Sequence, residues 1–428
     1  MSLKKYKNVY FIGIGGIGIS ALANILFEKG HTIKGSELIK SKITENLEKK
    51  GVKIKYEQTK ENIEKLKSSL IIYTTAIDEN HPEIKQAIKQ GFITMSYPKA
   101  LGEFAKDYTL IAISGTHGKS TITAMISKIF IEANLDPTIV IGTKTKELNG
   151  ENFRVGNSKY LIIEACEYKE SFLNFHPNYL IINNIEADHL DYFKNEENYF
   201  ETFNKFLKNL KTGGTLIISE NDLKKIKTPN NINIEYWKKE KKLKLKIPGK
   251  FNQENATSAY ILAKSFNINE NQIIKSLENF EGSWRRMEIK KTKFKNKIFI
   301  DDYAHHPTEI KVTLKAIKEK YSKKKTICIF QPHQYNRTKH FLKEFAKSFK
   351  DTDLVIIPGI YKVRDNDEDI KEVNGEKLAQ EINKISKNAI FIDGIENSAE
   401  YIKNNIKKFE IVVTMGAGNI TEIYKYFS

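Results

Sequence analysis

Ile111-Ala112-Ile113-Ser114-Gly115-Thr116-His117-Gly118-Lys119-Ser120 is a short apolar strand that runs into a glycine-flanked Gly-Lys-Ser. The stretch Thr121–Ala133 that follows has a helical pattern. A strand, a glycine loop and a helix in that order make a phosphate cradle. The glycines free backbone amides to face an anion, the lysine reaches the β- and γ-phosphates, and the hydroxyl that follows coordinates Mg²⁺. The usual loop carries a Gly five residues before its Gly-Lys, where this chain has Ile113, so the loop is a shortened variant. Its place at a strand end predicts an α/β segment with a parallel sheet.

Working outward, the same logic appears at the N-terminus. Strand Asn8–Ile12 leads into Gly13-Ile14-Gly15-Gly16-Ile17-Gly18 and the helix Ile19–Lys29, and Glu37 lies at the end of the next strand, Thr32–Lys34. Such a turn lets a pyrophosphate sit at a helix N-terminus while an acid grips a ribose hydroxyl. The spacing suits NAD and a UDP-sugar equally. Two phosphate loops in consecutive segments argue against a hydride-transfer enzyme, which has no use for the second.

Further strands are expected at Ser69–Tyr73, Phe92–Ser96, Thr109–Ile113, Thr138–Ile141, Tyr160–Ile163, Tyr179–Ile182 and Thr215–Ile218. The pattern loosens between 220 and 246. It resumes at Lys297–Ile300, Thr326–Phe330, Leu354–Ile357, Ala389–Ile392 and Ile411–Thr414. The fold class is therefore α/β with three domains, 1–106, 107–293 and 294–428, each a mostly parallel sheet with flanking helices. The first and third are Rossmann-like and the second carries the phosphate loop. A chain of 428 residues is long enough for two or three cores.

Composition narrows the class. No run of about 18 apolar residues predicts a membrane span, and the N-terminus lacks the apolar region of a signal peptide, so a cytoplasmic protein is expected. Cys166 and Cys328 sit far apart in apolar runs and read as buried free thiols. The net charge of +17 invites nucleic acid. The lysines are spread along the chain, however, and the dense run Lys238–Lys242 reads as a solvated loop without interleaved aromatics. Acidic small molecules fit the charge as well. Arginine is scarce (Arg154, Arg285, Arg286, Arg337 and Arg364), which reserves it for sites needing a planar fork.

Polar residues collect at strand ends. Glu164-Ala165-Cys166-Glu167 places carboxylates beside the phosphate loop, where a second Mg²⁺ ligand belongs. Asn183-Asn184-Ile185-Glu186-Ala187-Asp188-His189-Leu190-Asp191 either caps a helix or lines a site, with His189 a metal ligand or phosphate contact. Ile247–Ala256 reads as a loop entering the helix Asn255–Lys264; Asn252 and Asn255 either read a base edge or cap that helix. Arg285 and Arg286 suit a phosphate clamp. Asp301-Asp302-Tyr303-Ala304-His305-His306-Pro307-Thr308-Glu309 and Gln331-Pro332-His333-Gln334-Tyr335-Asn336-Arg337 converge on one crevice of an open sheet.

Taken in order, these motifs resemble those of the Mur ligases along essentially the whole chain. Asp302–Glu309 together with Phe330-Gln331-Pro332-His333 resemble the alanine-adding members more than the others. The resemblance implies a ligase of peptidoglycan synthesis. ATP would phosphorylate the lactyl carboxylate of UDP-N-acetylmuramate, and the amine of L-alanine would attack the acyl phosphate. Gly15, Gly16, Ile17, Gly18, Ser36, Glu37, Thr74 and Thr75 would hold the UDP-sugar. Gly115, Thr116, His117, Gly118, Lys119, Ser120, Thr121, Asn252, Asn255, Arg286 and Asp301 or Asp302 would hold ATP. Ser120, Glu164 and His189 would serve Mg²⁺; Tyr303, His306 and Arg337 would meet the amino acid; Lys119, His189, Arg286 and His306 would be catalytic. Neither nucleic acid nor membrane is an expected partner, and a monomer or weak homodimer is the expected state. Four positions depart from the family pattern: Ser120 for Thr, Glu37 for Asp, Phe251 for His and Gln334 for Arg. The rivals are a sibling ligase that adds a recycled tripeptide, an NAD-binding oxidoreductase and a nucleic-acid-stimulated ATPase.

Overall fold

The computed structural model describes residues 3–238, 240–363, 365 and 367–428, so Arg364 and Lys239 lie outside the described residues. Three sheets account for the strands. β1 (Asn8–Ile12), β2 (Thr32–Ser36), β3 (Lys53–Lys55), β4 (Leu70–Tyr73) and β5 (Thr94–Ser96) form an all-parallel sheet in the order β3-β2-β1-β4-β5. The second sheet holds β6 (Thr109–Ser114), β7 (Thr138–Val140), β8 (Phe153–Arg154), β9 (Tyr160–Glu164), β10 (Tyr179–Ile182), β11 (Thr215–Ser219) and β12 (Asn233–Trp237). Their order is β12-β11-β10-β6-β9-β7-β8, and only β8 runs antiparallel to its neighbour. The third comprises β13 (Glu288–Lys290), β14 (Ile298–Asp302), β15 (Thr326–Phe330), β16 (Leu354–Ile357), β17 (Ala389–Phe391) and β18 (Ile411–Met415). Its order is β13-β14-β18-β15-β16-β17, with β13 antiparallel.

Interior strands of a parallel sheet are covered on both faces, so they read as continuous apolar runs. In β18, Ile-Val-Val-Thr-Met is buried at every position, and in β6 only Thr109 is partly exposed. The edge strands β3, β8, β12 and β13 were not expected. Lys53-Ile54-Lys55 and Asn233–Trp237 are largely exposed and polar, so neither carries an apolar run. The helix expected from Asn255 begins earlier, at Lys250, immediately after Pro248-Gly249. Cys328 is buried in β15, but Cys166 is exposed on the turn after β9, contrary to expectation. That turn is irregular, and an apolar run in sequence did not make it core.

The chain forms two compact units, Met1–Lys241 with Asn255–Leu277, and Lys242–Glu254 with Glu278–Ser428. In the first, the helices of the first sheet share one apolar cluster with the second sheet: Leu22, Ile25, Leu101 and Phe104 join Leu110, Phe153, Phe172 and Phe175. In the second, the third sheet is covered on both faces, by Ile310, Leu314, Phe345 and Leu378 on one and Ala399, Ile402, Ile420 and Phe427 on the other. Residues 278–293, expected with the central segment, group with the third sheet because β13 pairs with β14. No helix among the described residues is long and apolar enough to cross a membrane.

Candidate functional site

In the first sheet β1 lies between β2 and β4, at the switch of strand order where ligands of open α/β sheets bind. The glycine turn starts there. Gly13 has φ +73°, and a Cβ on it would lie 2.5 Å from Thr74 Cγ2, so both conformation and space demand glycine. The amides of Gly13 and Ile14 donate to the Ser36 carbonyl, at 2.9 and 3.1 Å. Gly15 N–H donates to Glu37 Oε2 at 2.8 Å, and Leu38 N–H to Glu37 Oε1 at 2.9 Å. The carboxylate expected to meet a ribose therefore sits on an amide of the turn itself. The Ile17 carbonyl accepts from Asn152 Nδ2 at 2.6 Å, and Gly18 abuts the Tyr97 ring. The Thr75 carbonyl accepts from Lys169 Nζ at 3.3 Å. Gly15, Gly16, Ile17, Gly18, Ser36, Glu37 and Thr74 thus surround one turn, tied to the second sheet by Asn152.

The phosphate loop follows β6, which occupies the corresponding switch position between β10 and β9. Gly115 has φ +122°, and a Cβ there would meet the Asn184 carbonyl at 2.9 Å. Gly118, at φ +83°, caps the helix Lys119–Glu132. The Asn183-Asn184 pair proves to be the clamp for this loop. Thr116 N–H donates to the Asn184 carbonyl, His117 N–H to Asn184 Oδ1, and the Asn183 and Asn184 amides both donate to the His117 carbonyl. Thr116 Oγ1 contacts the Glu186 carbonyl at 2.7 Å and the Tyr199 hydroxyl at 2.9 Å. Asn255 Oδ1 accepts from Asn183 Nδ2 at 2.8 Å, so this buried side chain braces the loop. Thr121 is buried in the first helical turn.

Lys119 Nζ donates to the Gly115 and Thr116 carbonyls and pairs with Glu167 at 2.9 Å. Burial alone would depress its pKa; its anionic surroundings, Glu167 foremost, outweigh that and raise it, so the ammonium stays charged. Ser120 Oγ donates to Glu164 Oε2 at 2.9 Å, and the same oxygen accepts the Gly142 amide. A hydroxyl and a carboxylate in contact at a phosphate loop are hard oxygen donors of the kind Mg²⁺ takes. His189 heads the short helix Leu190–Phe193 with φ +53°, its ring 4.6 Å from that of Tyr168 and its Nε2 3.6 Å from Asp188.

The second unit holds the remaining candidates at the ends of the adjacent strands β14, β18 and β15. Arg285 and Arg286 part company here. Arg285 is buried, with its guanidinium bonded to Asp301, the Gly416 carbonyl and the Gly418 carbonyl. It is a structural residue, which corrects the expectation of a two-arginine clamp. Arg286 is partly exposed, 3.9 Å from Glu309, with its guanidinium 5.1 Å from the Tyr303 ring. Asp301 is fully enclosed, its oxygens shared between Arg285 and Thr414. Asp302 accepts the Met287 and Ala304 amides, and burial raises its pKa to about 6 despite the nearby Arg286. His306 caps the helix Pro307–Lys320: its Nδ1 accepts the Thr308 amide, so in this tautomer the proton is on Nε2. Arg337 Nη1 lies 3.4 Å from His333 Nδ1, and the His333 ring stacks on Tyr361. Asn252, on the same helix as Asn255 but in this unit, donates to the Pro248 carbonyl. Phe251 packs over Gly249, and Gln334 adopts φ +74° with its amide bonded to the Tyr361 carbonyl.

Several residues at these sites escaped the sequence reading. Tyr97 touches Gly18 and lies in the field of Glu164, linking the two loops. Gly416-Ala417-Gly418 ends β18 as the other glycine turns end β1 and β6, a signal the sequence did offer.

A glycine turn and a lysine-bearing phosphate loop on one core, joined to a third α/β sheet, define a phosphate-loop α/β protein with two anion cradles. The chain matches the Mur ligase family, catalytic domain, over residues 8–109, the Mur ligase middle domain over 113–237, and the Mur ligase, glutamate ligase domain over 285–418. A UDP-N-acetylmuramate--L-alanine ligase of Acetivibrio thermocellus is 39% identical, covering 99% of this chain and 96% of its own. One of Clostridium kluyveri is 40% identical, covering 98% and 97%. Among solved structures, the UDP-N-acetylmuramate-alanine ligase of Thermotoga maritima superposes with a TM-score of 0.79 at 26% identity over 98% of both chains. A murein peptide ligase of Psychrobacter arcticus shares the fold, with a TM-score of 0.69 at 20% identity over 98% of both chains. The chain belongs to the Mur ligase family.

Proposed function

We propose that this chain ligates L-alanine to the lactyl carboxylate of UDP-N-acetylmuramate with consumption of ATP, in the cytoplasm, as a step of peptidoglycan precursor synthesis. The observation that carries the reading is identity of 39–40% along nearly the whole chain to proteins named for that reaction. In this reading residues 1–106 take the UDP-sugar at the Gly15–Gly18 turn, the phosphate loop after β6 takes ATP, and the strand ends of the third sheet take the amino acid. The lactyl carboxylate attacks the γ-phosphorus and ADP leaves. The alanine amine then attacks the acyl carbon, loses a proton and expels inorganic phosphate. Lys119 and Arg286 offset charge on the transferring phosphoryl group. Ser120, Glu164 and His189 would hold Mg²⁺, which neutralises phosphate charge when bound. Asp302 is the better ribose partner, because Asp301 is fully enclosed and its charge is already paired with Arg285. Tyr303, His306 and Arg337 form the amino-acid side.

The test is phosphate release from ATP with each combination of UDP-N-acetylmuramate and L-alanine. Release that requires both supports the reading; release with neither, or none with both, overturns it. Competition at equal concentration then fixes the amine. L-Alanine should outcompete glycine by roughly 10–200-fold in kcat/KM, the worth of one methyl group in an apolar pocket. Faster ligation of L-alanyl-γ-D-glutamyl-diaminopimelate would make this the tripeptide-adding sibling.

A further inference from the structure

Glu83 has no place in the chemistry above, yet it is the most deeply buried carboxylate beside the first glycine turn. It lies in the opening turn of the helix Pro82–Lys89, and its exposure is 0%. Among the described residues no Lys or Arg pairs with it. Three neutral donors hold it instead: Tyr10 Oη at 3.0 Å and Asn62 Nδ2 at 2.9 Å on Oε1, and Ser36 Oγ at 2.6 Å on Oε2. Burial raises its pKa and the three donors pull it back only in part. A buried carboxylate held this way is costly, and an apolar residue of the same shape is often at least as stabilising. Stability alone is therefore a poor reason for it.

The short contact to Ser36 supplies another. Ser36 is fully buried, and its carbonyl is the acceptor for both Gly13 and Ile14, the first two amides of the glycine turn. Ser36 also precedes Glu37, whose carboxylate sits on the Gly15 amide. One line of contacts runs from Glu83 through the Ser36 side chain to its backbone, and on to the Gly13 and Ile14 amides at the base of the glycine turn. The neighbouring donors, Tyr10 on β1 and Asn62 on the helix Glu61–Glu64, fix Glu83 from the other side.

We propose that Glu83 is a positioning residue for the glycine turn after β1, setting through Ser36 the amide geometry that receives the diphosphate of the UDP-sugar. The ligand half of this rests on the proposed function; the turn half does not. Two readouts separate them. In the unliganded protein, Glu83→Gln should speed amide hydrogen exchange in the peptide spanning residues 13–18, with exchange in the β6 loop unchanged. In steady state it should raise KM for UDP-N-acetylmuramate, and the Kd for UDP by calorimetry, about tenfold, as for one lost charge-assisted hydrogen bond. The kcat at saturation and KM for ATP should stay within about twofold. Tyr10→Phe, which leaves the Ser36 contact intact, should change KM by less than about twofold.

A structural role predicts the opposite split: a lower Tm and a kcat reduced by loss of folded enzyme, with KM for the UDP-sugar and exchange in the turn unmoved. That result overturns the proposal. Should Glu83→Gln not fold, Ser36→Ala breaks the same line, and an unchanged KM and exchange rate there would overturn it equally. Faster exchange in the turn with no UDP binding to the wild-type chain would remove the UDP-sugar reading and leave the positioning role standing.

Discussion

The two anion cradles of the first unit are built on the same plan and finished differently. Each follows the strand at the switch point of its sheet, and each needs glycine at positive φ, Gly13 in the first and Gly115 and Gly118 in the second. After β1, the Gly15 amide is met by the chain's own Glu37 carboxylate, with no lysine in the turn. After β6, the loop carries Lys119, which is paired with Glu167, and Ser120, which is bonded to Glu164. The first can bind an anion through amides alone. The second adds a fixed positive charge and hard oxygen ligands, which are what stabilise charge on a phosphoryl group in flight. Binding needs a cradle; transfer needs a cradle with charge.

Lys119→Ala is the sharpest way to break that contrast. Ligation should fall by at least roughly 10²–10³ in kcat, the cost of removing a transition-state charge contact. UDP-N-acetylmuramate should bind within about twofold of wild type by calorimetry. A variant that no longer binds it would mean the two cradles do not divide the work.

Glycine substitutions come next. Gly115→Ala forces a side chain into φ +122° and against the Asn184 backbone, so strain of about 1–3 kcal/mol should raise KM for ATP by tenfold or more. Gly16 has φ −65°, a conformation open to any residue, and the tightest contact of an added Cβ would be Ile19 Cγ2 at 3.2 Å. Gly16→Ala should therefore shift KM for the UDP-sugar by less than about threefold. Equal penalties at the two positions would show that backbone conformation is not what separates them. Glu164→Gln should raise the Mg²⁺ concentration for half-maximal rate about tenfold, in the range seen when a metal site loses a supporting carboxylate. An unchanged Mg²⁺ dependence would remove Glu164 from the metal site.

The smallest effect lies outside both cradles. Asp302 has an ordinary pKa of 3.8 and a folded value of about 6. Between these values the folded protein keeps a proton that the unfolded chain releases. The contribution to stability is thus complete below about pH 4 and lost as pH rises through about 6. Asp302→Asn removes that dependence. The Tm of the variant relative to wild type should move in its favour by a few degrees between pH 4.5 and pH 8. A difference that stays flat with pH would show that Asp302 is not the group responsible.

The interior strands were legible because burial on both faces writes itself as Ile, Leu and Val runs, as in β6 and β18. The edge strands were not: Lys53-Ile54-Lys55 owes its place to pairing with β2 and has no pattern of its own. The cradles were legible as glycine spacing, while most of their supports were not. Asn152, Tyr97 and Glu83 reach the loops only through tertiary contacts, whereas Asn183 stood out as part of a polar strand end. The two arginines show why adjacency misleads. Arg285 and Met287 both adopt positive φ, at 55° and 51°, so the backbone turns sharply at this pair. Arg285 is thereby committed to Asp301 and two glycine carbonyls, and Arg286 is left partly exposed. Nothing in Trp-Arg-Arg-Met says which of the two goes in.

The shared core of the first two sheets has a consequence for how such a gene can be recombined. A crossover at 106/107 would have to join a Leu101–Phe104 surface from one parent to a Leu110, Phe153 and Phe172 surface from another, and mismatched halves would leave apolar area open to solvent. The second unit is not a clean cassette either. Its residues 242–254 are inserted ahead of 255–277 of the first unit, so exchanging it whole takes junctions after Lys241, Glu254 and Leu277. A library shuffled at a single junction would mix at least one core; one shuffled at those three would keep each core from a single parent.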